Sequence, residues 1–252
     1  MTLVVAHRGA PQAAPENTMP AFELAVAHGA DAVELDVHLT ADGELAVIHD
    51  DTLDRTTDRN GTVAALTMDE IRAADAGARF AGEDGSYPYR GRGIGVPRLT
   101  EVLEWLPDAI GLVVEIKAPA AVDAAVQALL RHPASRDGRI GLISFDERAV
   151  DRARELGPEL ATGVLLVPFA DFDAGMRRVA SRGHFGVHPW EGDLGTDPAS
   201  RVAEATRYGV RVGCYVVNDP ERMKELAGAG LWGFVTDRPD VGRAALARPV
   251  RS

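Results

Sequence analysis

AVELDVHL (residues 32–39) and GLVVEIK (residues 111–117) share one pattern, charged side chains at alternate positions of an otherwise apolar run. Successive residues of a β-strand point to opposite faces, so Glu34 and Asp36 share one face while Val33, Leu35 and Val37 share the other. In the second run Glu115 and Lys117 lie opposite Val114 and Ile116. Six further short runs punctuate the chain: LVVA (3–6), RIGLISF (139–145), ATGVLLV (161–167), HFGVHP (184–189), RVGCYVV (211–217) and WGFVTD (232–237). Most are nearly continuous in apolar character, as expected of parallel strands buried on both faces.

Helical stretches separate these runs. In residues 18–28, Met19, Phe22 and Val26 recur at helical spacing, with Asn17 as the expected N-cap. Further helices are expected over 100–106, 120–131, 146–156, 172–182, 197–208, 219–229 and 238–247, several opening on cap residues such as Thr100, Asp146, Asn218-Asp219-Pro220 and Asp237-Arg238-Pro239. Eight strands each followed by a helix predict an α/β chain folded as a (β/α)8 TIM barrel, with a doubly wound sheet as the alternative. One stretch breaks the rhythm. Thr40-Ala41-Asp42-Gly43 predicts a hairpin turn that folds ELAVIH back beside the second strand. Residues 50–98 then hold only turns and a short helix near 67–75, and read as a small insertion at the mouth of one barrel spanning 1–252.

Bulk composition narrows the function. With 252 residues, 46% hydrophobic and 26% charged, the chain can bury a sizeable core. A net charge of −11 argues against nucleic acid or an anionic membrane as partner, since both attract basic stripes. It leaves room for a small anionic substrate in a locally cationic pocket. One cysteine, Cys214, excludes an internal disulfide and suits a reducing compartment. No signal peptide, membrane anchor or transmembrane run is visible, so a cytoplasmic protein is expected.

In a barrel the apolar trio of the second strand must face the helical shell, which turns Glu34 and Asp36 into the lumen near the end where active sites form. Glu115 and Lys117 join them. Three acids together are costly unless compensated, either by protein cations, such as Arg8 and Lys117, or by a hard divalent cation, Mg²⁺ or Ca²⁺. His7 and His49 each close an apolar run and should sit at the same mouth, where one imidazole can take a proton and the other give one. Arg8 and Lys117 suit phosphate oxygens, and the whole set suits phosphoryl transfer. His188 is a candidate to reach the lumen, although a structural role is the simpler expectation for it and for His184.

These segments resemble one known family. HRGAPQAAPENT (7–18), AVELDVHLTADGELAVIHDDTLDRTT (32–57), VPRLTEVLEWL, VVEIK and YVVNDPERMKELAGAGLWGFVTDRPD, in this order, are similar to the glycerophosphodiester phosphodiesterases over essentially the whole chain. The resemblance implies that His7 and His49 are the general acid and base, that Glu34, Asp36 and Glu115 hold the cation, and that Arg8 and Lys117 grip the phosphate. It further implies hydrolysis of glycerophosphodiesters, such as glycerophosphocholine or glycerophosphoethanolamine, to glycerol 3-phosphate through a cyclic phosphate. Glu16 is expected to orient Arg8, Asp50 to steer His49, and Asn218 to cap a helix and face the site. Tyr215 stands where the family often has Trp, and keeps an aromatic wall for the substrate. Two rivals follow from the same residues: a lysophospholipase D or phospholipase C-like barrel, and a barrel that binds phosphorylated ligands without turnover.

Overall fold

The computed structural model describes residues 1–247; residues 248–252, where the expected domain ends, lie outside the described residues. Nine strands are present: β1 (Leu3–Ala6), β2 (Ala32–Leu39), β3 (Leu45–Val47), β4 (Gly111–Ile116), β5 (Ile140–Ser144), β6 (Ala161–Leu165), β7 (Gly186–His188), β8 (Arg211–Cys214) and β9 (Gly233–Thr236). Eight of them form a ring, since β1 pairs in parallel with β9 on one side and with β2 on the other. That closing seam is short, Val5 opposite Ala32 and Ala6 opposite Val33. It nevertheless decides the architecture, because a doubly wound sheet would end in two free edges. With helices between its parallel strands the molecule is a (β/α)8 barrel. The ninth strand, β3, lies antiparallel to β2 outside the ring, as the turn at residues 40–43 predicts.

Ten helices are described: α1 (Met19–Ala27), α2 (Met68–Arg72), α3 (Leu99–Trp105), α4 (Val122–Arg131), α5 (Pro133–Arg136), α6 (Glu147–Leu156), α7 (Phe172–Ser181), α8 (Pro198–Arg207), α9 (Pro220–Gly228) and α10 (Pro239–Leu246). Their buried faces follow the sequence period. In α4 the buried Val122, Ala125, Val126 and Leu129 lie three and four residues apart. Four helices start on an aspartate whose side chain accepts a backbone N–H of the first turn: Asp146, Asp171, Asp197 and Asp219. Each such cap contributes about 1 kcal/mol. Four expected caps are corrected. Thr100 lies inside α3, Asn17 precedes the N-cap Thr18, Asn218 leaves the capping of α9 to Asp219, and α10 opens on Arg238 without a side-chain cap while Asp237 pairs with His7. Asn17 and Asn218 instead donate to the carboxylates of Asp36 and Asp237.

Parity sets the two layers of the core. Val33, Leu35 and Val37, with Val114 and Ile116, pack into one buried cluster with Ala125 and Leu129 of the helical shell. Burying each of the larger side chains contributes roughly 1.5–3 kcal/mol. The inward positions Val5, Val113, Ile143, Leu165 and Val235 form a separate cluster across the lumen. Residues 50–98 carry a small core of their own, in which Leu53, Val63, Met68, Ile71 and Val96 pack on Ile48. The chain returns to the barrel where Val47 N–H donates to the Pro97 carbonyl.

Candidate active site

Glu34 and Asp36 on β2 and Glu115 on β4 turn into the lumen at its C-terminal end, Asp36 directly opposite Glu115 in the ladder. Each offers one carboxylate oxygen to a cluster whose members all lie within 4.8 Å of one another. Glu34 and Asp36 are buried. Burial, reinforced by the charges of Asp36 and Glu115, pushes the Glu34 carboxyl well above the usual range. Burial and then Asp36 push Glu115 upward as well. Acids driven toward protonation in this way are under-compensated.

The compensating cations are those expected, and they do not suffice. Lys117 Nζ donates to Glu115 Oε1 at 2.7 Å and stands 3.5 Å from Asp36 Oδ1. Arg8 donates its backbone N–H to Glu34 Oε2 at 3.0 Å and Nη1 to Glu16 Oε1 at 2.9 Å. Its Nε lies 3.2 Å from Asp36 Oδ2 without hydrogen-bond geometry, and both Arg8 Nε and Asp36 Oδ1 are buried without a hydrogen-bond partner among the described residues. Ion pairs and a converging acid cluster therefore coexist. The oxygen-only donor set, with an orphaned carboxylate oxygen among it, fits a hard divalent cation held by Glu34, Asp36 and Glu115.

The local backbone explains the His7-Arg8-Gly9 sequence. Arg8 adopts φ +53° and Gly9 φ +91°, a reversal that returns the chain over the mouth directly after β1. A Cβ on Gly9 would stand 2.6 Å from the Ala21 carbonyl carbon, so α1 can approach only a glycine there. Asn17, also left-handed at φ +56°, donates Nδ2 to Asp36 Oδ2 at 2.8 Å and accepts from Asp36 N–H at 3.3 Å. The residue expected as a helix cap thus fixes a member of the acid cluster.

Each imidazole is held by a carboxylate through Nδ1. His7 Nδ1 lies 2.6 Å from Asp237 Oδ1, and His49 Nδ1 lies 2.7 Å from Asp50 Oδ1. Ionised carboxylates only accept, so Nδ1 carries the proton and Nε2 is the nitrogen left to react. Asp237 is gripped by Asn218 Nδ2 at 2.8 Å, while Asn218 Oδ1 accepts from Thr236 Oγ1 and from the Asp237 N–H. Arg55 forks across Asp50 and Glu16, with Nε to Asp50 Oδ2 at 2.7 Å and Nη1 to Glu16 Oε2 at 2.8 Å. A continuous charged chain, Arg8–Glu16–Arg55–Asp50–His49, thereby links the two sides of the mouth. His38 Nε2 further holds the His49 carbonyl at 3.0 Å. Burial lowers the pKa of His49, with Asp36 and Asp50 partly offsetting it. Asp50 is held far below its usual range, chiefly by Arg55.

His7, Arg8, His49 and Lys117 line one cavity of about 260 Å³ together with Glu34 and Glu115. Asp36 is outside its lining, and Tyr215 is part of it. Tyr215 meets Phe145 edge to face at 5.7 Å and donates its hydroxyl to the Leu166 carbonyl at 2.6 Å. Trp190 packs on Phe169 with ring centres 5.3 Å apart and is outside the lining of this cavity. All eight side chains expected at the site thus converge. Sequence reasoning missed Asp237 and Arg55. Asp237 was accessible by parity, two residues after the inward Val235. Arg55 sits in a turn, where no periodicity applies.

A sequence model of the glycerophosphoryl diester phosphodiesterase family matches residues 7–241. A glycerophosphodiester phosphodiesterase from Caldanaerobacter subterraneus subsp. tengcongensis is 33% identical over 256 residues, covering 95% of this chain and 95% of that protein. Among solved structures, an Oleispira antarctica phosphodiesterase in complex with the product sn-glycerol-3-phosphate superposes with a TM-score of 0.84 at 28% identity, covering 98% of this chain and 97% of that one. A glycerophosphodiester phosphodiesterase from Agrobacterium tumefaciens gives a TM-score of 0.79 at 31% identity, covering 97% and 100%.

Proposed function

The chain belongs to the glycerophosphoryl diester phosphodiesterase family, and from that premise we propose that it hydrolyses glycerophosphodiesters, such as glycerophosphocholine and glycerophosphoethanolamine, to glycerol 3-phosphate and an alcohol. One observation carries the reading: two carboxylate-held imidazoles, two cations and the acids Glu34 and Glu115 line a single cavity, and Asp36 completes the acid cluster with ligand atoms within 4.8 Å. Arg8 and Lys117 bind the phosphoryl oxygens. His7 and His49 are the acid–base pair. One removes the proton of the substrate's own glycerol 2-hydroxyl as that oxygen attacks phosphorus, and the other protonates the departing alcohol. A water then opens the resulting cyclic phosphate, with the proton roles reversed. An intramolecular nucleophile gains a large effective-molarity advantage. Glu34, Asp36 and Glu115 hold Mg²⁺ or Ca²⁺, which when bound supplies charge neutralisation at the phosphoryl group. Tyr215 offers the glycerol carbons an aromatic wall.

On this reading residues 1–252 work as one catalytic barrel, and residues 50–98 are an insertion that supplies Arg55 to the mouth. The substrate is a small molecule. Among the described residues no helix is long and apolar enough to cross a membrane. The single buried Cys214 accords with a cytoplasmic setting. The test is release of glycerol 3-phosphate from glycerophosphocholine with Mg²⁺ or Ca²⁺, read through a coupled dehydrogenase, and its loss with a chelator. Metal binding without turnover of a panel of diesters would overturn the reading in favour of a non-catalytic phosphate-binding barrel. Turnover confined to lysophospholipid micelles would favour the lipase rival.

A further inference from the structure

The opposite end of the same lumen holds a larger cavity, about 340 Å³, within the range of small-ligand sites. Its walls are the starts of the strands, where Ala32, Gly111, Gly141, Ala161 and Gly163 leave room that bulkier inward side chains would fill. Phe185 and Trp232 pack edge to face at 5.5 Å beside its entrance. At its inner wall stands His188, 6% exposed. The ring fits because its neighbours lack side chains: a Cβ on Gly163 would lie 2.5 Å from Nε2, and one on Gly213 2.4 Å from Nδ1. Among the described residues neither ring nitrogen makes a hydrogen bond, and neither is among the fully occluded unpaired atoms, so the ring keeps polar atoms accessible at the cavity.

We propose that this floor cavity is a second binding site, for a small neutral molecule that is mostly apolar and carries one hydroxyl, which His188 recognises. Three observations select that class. The lining is apolar apart from His188, the rim and Thr162, whose hydroxyl is engaged with His184 Nδ1 at 3.0 Å. Both charged rim residues are already engaged: Asp31 accepts the Val4 N–H at 2.8 Å and pairs with Arg243 at 2.6 Å, and Arg139 donates to the Ile110 carbonyl at 3.0 Å and to Asp137 at 3.3 Å. Among the described residues no lining cation is left without a partner, which separates this site from the phosphate-binding mouth. Finally, burial lowers the pKa of His188 to about 4, so at neutral pH the ring offers one donor and one acceptor and no charge, the complement of a hydroxyl. Ile143 lines both cavities, so the partition between them is a single side chain thick.

Phenol, toluene and benzoate are the probes, titrated into the full chain while the His188 ring nitrogens and the Trp232 indole are followed by NMR. Phenol is expected to saturate with Kd on the order of 1 mM or tighter and to shift both reporters. Toluene should bind several-fold more weakly, and benzoate not measurably. Ala161→Leu, which fills the cavity, should weaken phenol at least about tenfold while glycerophosphodiesterase activity is retained. His188→Phe should abolish the preference for phenol over toluene. Intermolecular NOEs from phenol to Phe185 and Trp232 in the unsubstituted protein give the same answer if a variant does not fold. Absence of saturation, NOEs to other residues, or equal binding of phenol and toluene would overturn the proposal.

Discussion

The two ends of the barrel lumen are built by the same strands at the same parity and could hardly differ more. At the strand starts the inward positions are glycine, alanine and aliphatic side chains around one imidazole. At the strand ends they are Glu34, Asp36 and Glu115, with His7 one residue beyond β1 and Lys117 one residue beyond β4. Histidine occurs at both ends and behaves differently at each. His7 and His49 have Nδ1 fixed by carboxylates that are themselves held, by Asn218 and by Arg55. His188 has no such partner among the described residues, and desolvation alone sets its titration. What a residue does here is set by what surrounds it.

Removing the imidazoles at the mouth should have the largest effect. His7→Ala and His49→Ala are each expected to lower kcat by about 10²–10⁴, the usual contribution of a positioned acid or base. An ester with an activated leaving group, such as a p-nitrophenyl diester, should restore turnover in only one of the two variants. The rescued variant is the one that lacks the acid. Equal rescue of both would break the division of labour proposed for the pair.

At the floor, the same residue type should affect stability and not rate. The folded pKa of His188 is depressed to about 4 from an ordinary 6.5, so between those pH values the unfolded chain binds a proton that the native protein refuses. Stability is then complete above about pH 6.5 and is lost as pH falls toward 4, by at most about 3 kcal/mol. His188→Phe should flatten this loss in urea unfolding at pH 7 and pH 4.5. His184 also titrates low, through burial, but is common to both proteins and cancels. An unchanged pH slope in the variant would refute a neutral, buried His188.

The carboxylates behind the mouth imidazoles come next. Asp237→Asn and Asp50→Asn leave the size of the support intact and remove its charge. Each is expected to reduce kcat about 10–100-fold, as loss of an orienting partner does at comparable sites, with little change in KM. Because Asp50 stabilises the His49 imidazolium, the pH–rate inflection set by His49 should move to lower pH in Asp50→Asn. A purely structural role would lower the yield of folded protein and leave the pH profile in place.

Much of this arrangement could be read before any coordinates, and the reason is periodicity. The β-strand period of two places Glu34, Asp36 and Glu115 inward without knowledge of their neighbours, and the alternation of strands with 3.6-period helices indicates a barrel. Contacts made by turns carry no period. Arg55 reaches Glu16 across 39 residues of chain, and Asn17 leaves its helix for Asp36, because unpaired charge in the lumen outweighs a surface cap. The floor cavity was hidden for another reason. Glycines at strand starts look like ordinary small residues until the ring is closed and six of them, at 111, 141, 163, 186, 213 and 233, are seen beside one lumen.

The smallest effect tests where the two ends meet. Tyr215 follows Gly213 inward on the same strand direction, so it is the first side chain above the floor on that side to reach the mouth. Its ring walls the cavity, while its hydroxyl points away from the acids to the Leu166 carbonyl at 2.6 Å. Burial raises its pKa, which keeps the hydroxyl protonated and unsuited to act as a base. Tyr215→Phe should therefore cost about 1 kcal/mol of stability through the lost hydrogen bond and change kcat/KM by less than about threefold. Tyr215→Ala should instead raise KM, since the wall itself is removed. A large loss of kcat in the Phe variant would move the hydroxyl into the chemistry, and would make Tyr215 a polar member of the mouth instead of the upper edge of the apolar lumen.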